Sequence, residues 1–147
     1  MQLVVDASTF VAEVLRARGR RLLARPDLDL VVAAEAMSET EHELRKRVAQ
    51  LVERGHLEPA PAAQLFEEAL ATIAGKVTVI PHEVYAARLG EAWQRVPRDP
   101  RDAPTVALAL TLDCGIWTGD YDFFGCGVSV WTTETLQQHF QRLDECG

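Results

Sequence analysis

Aspartate side chains follow two of the short apolar segments in this chain, and these aspartates are the residues best suited to chemistry. Asp6 comes directly after the apolar segment Leu3–Val5, and Asp120 follows Ile116–Thr118, with Asp122 two residues further on. A charged group that closes an apolar strand is unfavourable unless a cation or hydrogen-bond donors compensate its charge. Carboxylates gathered from separate segments would suit Mg²⁺ or Mn²⁺, which prefer oxygen ligands.

The elements that must position these acids alternate between short β-branched segments and longer stretches of helical periodicity. The predicted strands are Leu3–Val5, Leu30–Val32, Val77–Ile80, Ile116–Thr118 and Val128–Trp131. The predicted helices are Ser8–Arg18, Glu35–Arg54, Pro61–Ile73, His82–Arg95, Ala103–Leu112 and Thr133–Leu143. This alternation predicts a three-layer α/β/α fold with a central, mostly parallel sheet of about five strands. A length of 147 residues predicts a single domain, 1–147.

Two further acids are expected at the same edge of the sheet. Glu39 lies in the early turns of the helix that follows the second predicted strand, and Asp102 stands at the start of the helix that leads into the fourth. Both helix starts lie at the carboxyl edge of a parallel sheet, where Asp6 and Asp120 also lie. Four acids from four segments are therefore expected to converge there.

Each acid also has a purely structural interpretation. Asp102 precedes an Ala-Pro pair and could simply cap the following helix. Asp120 and Asp122 could be turn residues, and Glu39 could be a solvated residue on a helix surface. Asp6 is the hardest of the five to explain without a ligand or a partner, because it closes an apolar central strand.

Composition narrows the function less than the motifs do. The net charge of −7 argues against a protein that depends on phosphate contacts, although a carboxylate site can recruit cations that offset its own charge. Two groups of basic residues could supply positive charge locally or could be solvated surface. These groups are Arg45, Lys46 and Arg47, and Arg95, Arg98 and Arg101.

The cysteines and the first residues bear on location. Three cysteines without a CxxC pair disfavour a disulfide framework or a zinc site, and they suit a reducing compartment. The opening MQLVVDAS has no basic segment and no long apolar segment, so we expect no signal peptide. No apolar run approaches about 20 residues, so we expect no membrane span and a cytoplasmic protein. Four aromatic residues in or beside strands are expected to pack in the core rather than stack on bases: Trp117, Trp131, Phe123 and Phe124.

Four sequence segments, in this order and spacing, cover nearly the whole chain and resemble the PIN domain. They are VVDAS, SETEHEL, RDPRDAPTVALAL and IWTGDYDFFG. The PIN domain is the small metal-dependent ribonuclease fold of VapC-type toxins and of RNA-processing nucleases. The resemblance implies a sheet in the order 3-2-1-4-5, which sets the first strand beside the fourth.

The resemblance also assigns roles to residues. The family's four acids fall on Asp6, Glu39, Asp102 and Asp120, with Asp122 close behind. Together they would hold Mg²⁺ or Mn²⁺ and position the water that attacks an RNA phosphodiester. Two assignments have alternatives nearby: Glu43 competes with Glu39, and Asp99 competes with Asp102.

The function implied in this way is a metal-dependent ribonuclease, an endonuclease and the toxin of a toxin–antitoxin pair. RNA would be its substrate, an antitoxin would be its partner, and VapC-type toxins are commonly homodimers. The alternative is a PIN-like module that binds RNA or protein with little or no nuclease activity.

Overall fold

Five parallel strands form the centre of the molecule in the computed structural model, which describes residues 1–147. The strands are Gln2–Val5 (β1), Asp29–Ala33 (β2), Val77–Ile80 (β3), Gly115–Trp117 (β4) and Val130–Trp131 (β5). Their order in the sheet is β3-β2-β1-β4-β5, and all four pairings are parallel. The predicted fold class and the strand order implied by the PIN resemblance are both confirmed.

Helices cover both faces of this sheet. They are Ala7–Val14 (α1), Ala17–Leu23 (α2), Ala34–Glu53 (α3), Pro59–Lys76 (α4), His82–Tyr85 (α5), Leu89–Arg95 (α6), Ala103–Leu112 (α7) and Thr133–Cys146 (α8). The helices α1, α3 and α4 pack against one another on one face, while α5, α6 and α7 pack on the other. None of these helices combines the length and the apolar character needed to cross a bilayer.

The central strand β1 is fully enclosed, and this enclosure fixes the position of the acid that follows it. Leu3, Val4 and Val5 are at most 1% exposed, as expected for an apolar strand covered by helices on both faces. The backbone N–H of Asp6 donates to the carbonyl oxygen of Trp117 at 3.1 Å, which extends the pairing of β1 with β4 by one residue. Asp6 is therefore held level with the end of β4.

The first predicted helix, Ser8–Arg18, is wrong in its second half. The backbone of Arg16 is extended, with φ −114° and ψ 143°, so the chain breaks there and begins a new helix, α2. Two contacts explain the break. The guanidinium of Arg18 donates to both carboxylate oxygens of Glu13, at 2.9 and 3.2 Å. Gly19 lies so close to the carbonyl oxygen of Glu13 that any β-carbon there would overlap it.

Two other predicted elements are divided or shortened in the structure. The predicted helix His82–Arg95 consists of α5 and α6 joined by the 3₁₀ turn Ala86–Arg88. The last strand is shorter than the predicted Val128–Trp131 because only two of its residues pair with β4. Neither difference moves the carboxyl edge of the central strands. Gly55 ends α3 with a φ of 72°, and α4 follows this turn and packs back on α3 as a hairpin.

Candidate metal centre

Three aspartates come closest together at the carboxyl edge of the sheet. Asp102, Asp120 and Asp122 each place one carboxylate oxygen within 4.8 Å of the others. Oxygen ligands about 2.1 Å from one Mg²⁺ lie a comparable distance apart, so this group has a spacing that suits one hard divalent cation. Asp6 and Glu39 lie outside this group of three, although both border it.

Asp6 has one carboxylate oxygen fixed by hydroxyl groups and one oxygen free. Its side chain is 8% exposed, and its Oδ2 accepts hydrogen bonds from Ser8 Oγ at 2.9 Å, Thr9 Oγ1 at 3.4 Å and Thr118 Oγ1 at 3.1 Å. Burial raises the pKa of Asp6, the hydroxyl groups lower it, and the charge of Asp120 raises it. Donors that hold one oxygen of a ligand orient the other toward a cation.

The four predicted acids share one open cleft of about 490 Å³. Asp6, Glu39, Asp102 and Asp120 all line it, and Glu39 reaches it from the second turn of α3. Burial raises the pKa of Glu39, the Arg101 guanidinium opposes this change, and nearby carboxylates add to it. The expected convergence is present, and the assignment of these side chains as ligands stays a prediction.

Asp102 provides the strongest sign that the cluster suits a cation. Its Oδ2 is buried and has no hydrogen-bond partner. Every other buried side-chain oxygen or nitrogen atom in the structure has one. Burial raises the pKa of Asp102 to about 7, and the charges of Asp6 and Asp120 contribute to the rise. A buried acceptor without a donor is unfavourable, and so is a group of crowded carboxylates. A divalent cation relieves both conditions, so these residues fit one.

Asp120 and Asp122 each use one oxygen for structure. Asp120 Oδ1 accepts from the backbone N–H of Asp122 at 2.9 Å, and Asp122 Oδ1 accepts from Arg98 Nη1 at 3.1 Å. The interpretation of Asp120 as a turn residue is therefore correct but accounts for only one of its two oxygens. The Oδ2 atoms of both residues accept no hydrogen bond and are available to a ligand.

The structure distinguishes Asp99 from Asp102. Both carboxylate oxygens of Asp99 accept hydrogen bonds from Arg101, at 3.0 to 3.2 Å, and this pairing lowers the pKa of Asp99. Asp99 also caps the 3₁₀ turn that precedes α7, whereas Asp102 makes no side-chain capping bond. Asp102 therefore stands at the N-cap position of α7, as predicted, but capping does not account for its carboxylate. Glu39 and Glu43 both line the cleft, so that alternative stays open.

Glu35, one turn before Glu39 on α3, is held away from the cleft. Its carboxylate accepts hydrogen bonds from the hydroxyl group of the buried Tyr85 and pairs with Nδ1 of His82. Burial and the charge of Glu35 raise the pKa of Tyr85. These contacts hold the first turn of α3 against α5, one turn before Glu39.

The first predicted basic group, Arg45, Lys46 and Arg47, does not form one surface. Arg45 stacks on Phe66 and pairs with Glu41 on the outer side of the α3–α4 hairpin. Arg47 instead lines a cavity beside Asp120.

The Thr9 and Thr118 hydroxyl groups, which bind Asp6, could not be predicted from the sequence. The one available signal was that Thr118 ends a predicted strand two residues before Asp120.

Comparison with known protein families agrees with this fold. The family model for the PIN domain matches residues 4–141. The chain belongs to the PIN-domain family. Comparison of this PIN domain with curated proteins gave no significant match.

Solved structures share the fold of this PIN domain at low sequence identity. PAE2754 from Pyrobaculum aerophilum has a TM-score of 0.67 at 17% identity, with 97% of this chain and 90% of that chain covered. VapBC2 from Rickettsia felis, bound to a DNA fragment from its promoter, has a TM-score of 0.64 at 11% identity, covering 90% and 98%. VapC20 from Mycobacterium tuberculosis, a Sarcin-Ricin loop cleaving toxin, has a TM-score of 0.57 at 21% identity, covering 86% and 95%.

The hydroxyl group of Thr118 offers a test of how Asp6 is positioned. Thr118 is fully buried, and its Oγ1 donates to Asp6 and accepts from the backbone N–H of Asp120. We expect Thr118→Val to weaken Mn²⁺ binding about tenfold, measured by isothermal titration calorimetry, because Asp6, a predicted ligand, loses one of the three hydroxyl donors that orient it. Thr111→Val is the control, since the Thr111 hydroxyl bonds only within α7. Equal affinity in the two variants would contradict the positioning role.

Proposed function

We propose that this PIN domain is a ribonuclease that depends on Mg²⁺ or Mn²⁺ and hydrolyses internal phosphodiester bonds of RNA. The observation that carries the proposal is the buried Asp102 Oδ2, which has no hydrogen-bond partner and lies among other carboxylates. A structural cluster of caps and turns would satisfy this oxygen with a donor from the protein. A cluster built for a cation and a phosphate leaves it free.

In this proposal Asp6, Asp102, Asp120 and Asp122 hold the metal, and Glu39 completes the site from α3. When bound, a divalent cation supplies charge that offsets the phosphodiester and makes an attacking water more acidic. The protein contributes orientation. Hydroxyl groups hold Asp6 in one rotation, and Arg101 keeps Asp99 out of the ligand set. The cleft leaves room for an RNA strand beside the acids.

Positive charge beside the acids supports a phosphate substrate. Arg47 forms no salt bridge and no side-chain hydrogen bond, is half-buried, and lines a cavity of about 520 Å³ that also includes Ser8 and Asp120. A half-buried guanidinium without a protein partner suits a phosphate group of a bound strand. The overall charge of −7 therefore does not prevent local binding of RNA.

We also propose that the chain is a VapC-like toxin with an antitoxin partner, and that it forms a homodimer. The fold shared with VapC20 and with VapBC2 supports this assignment. Three free cysteines, with no disulfide among them, suit a cytoplasmic site of action. Light scattering of the purified protein measures whether it is a dimer.

Cleavage of RNA by the purified wild-type protein tests the proposed activity. We expect internal cleavage of an RNA substrate with Mn²⁺ or Mg²⁺, complete loss of cleavage with EDTA, and recovery when the metal is restored. Cleavage that continues in EDTA would contradict the metal centre. RNA binding without cleavage of any RNA tested would favour the module that only binds.

A further inference from the structure

Two aromatic side chains beside the acidic cluster face solvent. Tyr121 is 80% exposed and Phe124 is 46% exposed. Their rings contact each other edge to face, with centroids 5.4 Å apart. The expectation that Phe124 packs in the core is therefore wrong, whereas its neighbour Phe123 is fully buried.

The backbone holds Tyr121 at a fixed place within the metal-binding loop. It lies between Asp120 and Asp122 in a 3₁₀ turn that the Asp120 side chain closes through the N–H of Asp122. The buried Phe123 anchors this turn in the core. Because the same turn carries two proposed ligands, the backbone of Tyr121 has a set position relative to the cluster.

The aromatic pair is continuous with the acidic cluster. A cavity of about 220 Å³ is bordered by Tyr121 and Phe124 on one side and by Asp102 and Asp122 on the other. Arg98, whose side chain is 81% exposed, lies in the same cavity and donates to Asp122. Tyr121 also borders the cavity that contains Arg47. Tyr121 therefore lines two cavities, and each of them also contains an aspartate of the acidic cluster and at least one arginine.

We infer that Tyr121 and Phe124 form a stacking platform for an unpaired base of the RNA strand whose phosphate lies at the acidic cluster. The inference rests on the proposed function and adds to it a base-binding position built from two side chains of this chain. Aromatic rings stack on any base, so the platform selects unpaired over paired nucleotides rather than a sequence. In a duplex the faces of each base are covered by its neighbours, and the platform cannot reach them.

Steady-state cleavage of one oligoribonucleotide, single-stranded or annealed to its complement, tests the platform. We expect wild-type protein to prefer the single strand. In Tyr121→Ala the KM for the single strand rises about tenfold or more, while kcat is nearly unchanged. Tyr121→Phe keeps the ring and should retain the wild-type KM. Trp93→Ala is the control, since Trp93 is 56% exposed but borders neither cavity.

Removal of the base provides an independent readout. For an RNA with an abasic site next to the cleaved bond, the KM of wild-type protein should rise as much as the Tyr121→Ala substitution raises it for intact RNA. The KM of Tyr121→Ala should be the same for the abasic and the intact RNA. An unchanged KM in Tyr121→Ala, or an equal abasic penalty in both proteins, would overturn the platform.

The same variants separate a failure of the platform from a failure of the proposed nuclease. If wild-type protein cleaves no RNA, fluorescence anisotropy with the labelled single strand and Mn²⁺ still measures the platform. Weaker binding by Tyr121→Ala than by Tyr121→Phe would support it there, and equal binding would overturn it.

Discussion

Asp6→Asn should remove metal-dependent RNA cleavage, with a fall in kcat of about 100- to 1,000-fold. Asparagine preserves the size of the side chain, so the packing at the end of β1 should survive. The charge that a divalent cation requires is lost, and the amide nitrogen presents a donor where a cation needs an acceptor. The measurement is single-turnover cleavage with Mn²⁺, together with Mn²⁺ affinity by calorimetry.

Asp113→Asn is the matched control for this experiment. Asp113 is an exposed aspartate at the end of α7 with a positive φ of 51°, a conformation that asparagine tolerates well. Its substitution should leave cleavage unchanged. Cleavage that survives Asp6→Asn at the wild-type rate would show that the activity comes from another site or from a contaminant.

The variant Asp102→Asn should change stability and activity in opposite directions. The free energy of unfolding of the metal-free protein should increase by about 1–2 kcal/mol at pH 8, because the neutral amide removes the repulsion and the burial cost of the carboxylate. Solvent screening of this half-buried group keeps the gain small. Cleavage should fall about 100-fold or more, because the side chain with the unpartnered oxygen can no longer carry charge. Such an exchange of stability for activity is common at functional sites.

The raised pKa of Asp102 also predicts how stability depends on pH in the absence of metal. The unfolded chain releases this proton near its ordinary pKa of 3.8, whereas the folded protein holds it until about pH 7. The folded state therefore binds more protons between about pH 4 and pH 7, and stability should fall as the pH rises through that window. Asp6 and Glu39, whose pKa values are also raised, contribute with the same sign.

Chemical denaturation of wild-type protein and of Asp102→Asn, at several pH values with EDTA, measures this effect. The slope of stability against pH should be shallower in the variant. Added Mn²⁺ should reverse the order of stability at pH 8, because metal competes with protons for these carboxylates and binds the wild-type site more tightly. A variant as stable as wild-type protein at every pH would contradict the burial of an unpaired charge.

The fold could be predicted because its signals are local and repeated. The apolar run at β1 and the helical periodicity of α3 and α4 are each visible within a short window of sequence. The break at Arg16 was not visible, because neither glycine nor proline stands there. It depends on the contact of Gly19 with Glu13 and on the ion pair of Arg18, which exist only once α1 and α2 fold against each other.

Some residues of the candidate site could also be predicted from the sequence, whereas others could not. Asp6 and Asp120 follow strands, and strand ends define the edge of a sheet, so their positions could be predicted. The choice between Asp99 and Asp102 depended on hydrogen bonds of individual oxygens. One signal did exist, since Asp99 precedes a proline and is a typical cap. Glu39 and Glu43 lie one turn apart on the same face of α3, and periodicity alone cannot separate them.

The pairing of β1 with β4 has a consequence during protein synthesis. Thr118, which orients Asp6, follows it by 112 residues in the chain. At about 5–20 residues per second, a ribosome makes Asp6 roughly 6–20 seconds before Thr118. Until β4 enters the sheet, the acids of the nascent polypeptide are separated and the proposed metal site cannot form. We therefore expect that no product truncated before β4 cleaves RNA beside the ribosome that made it.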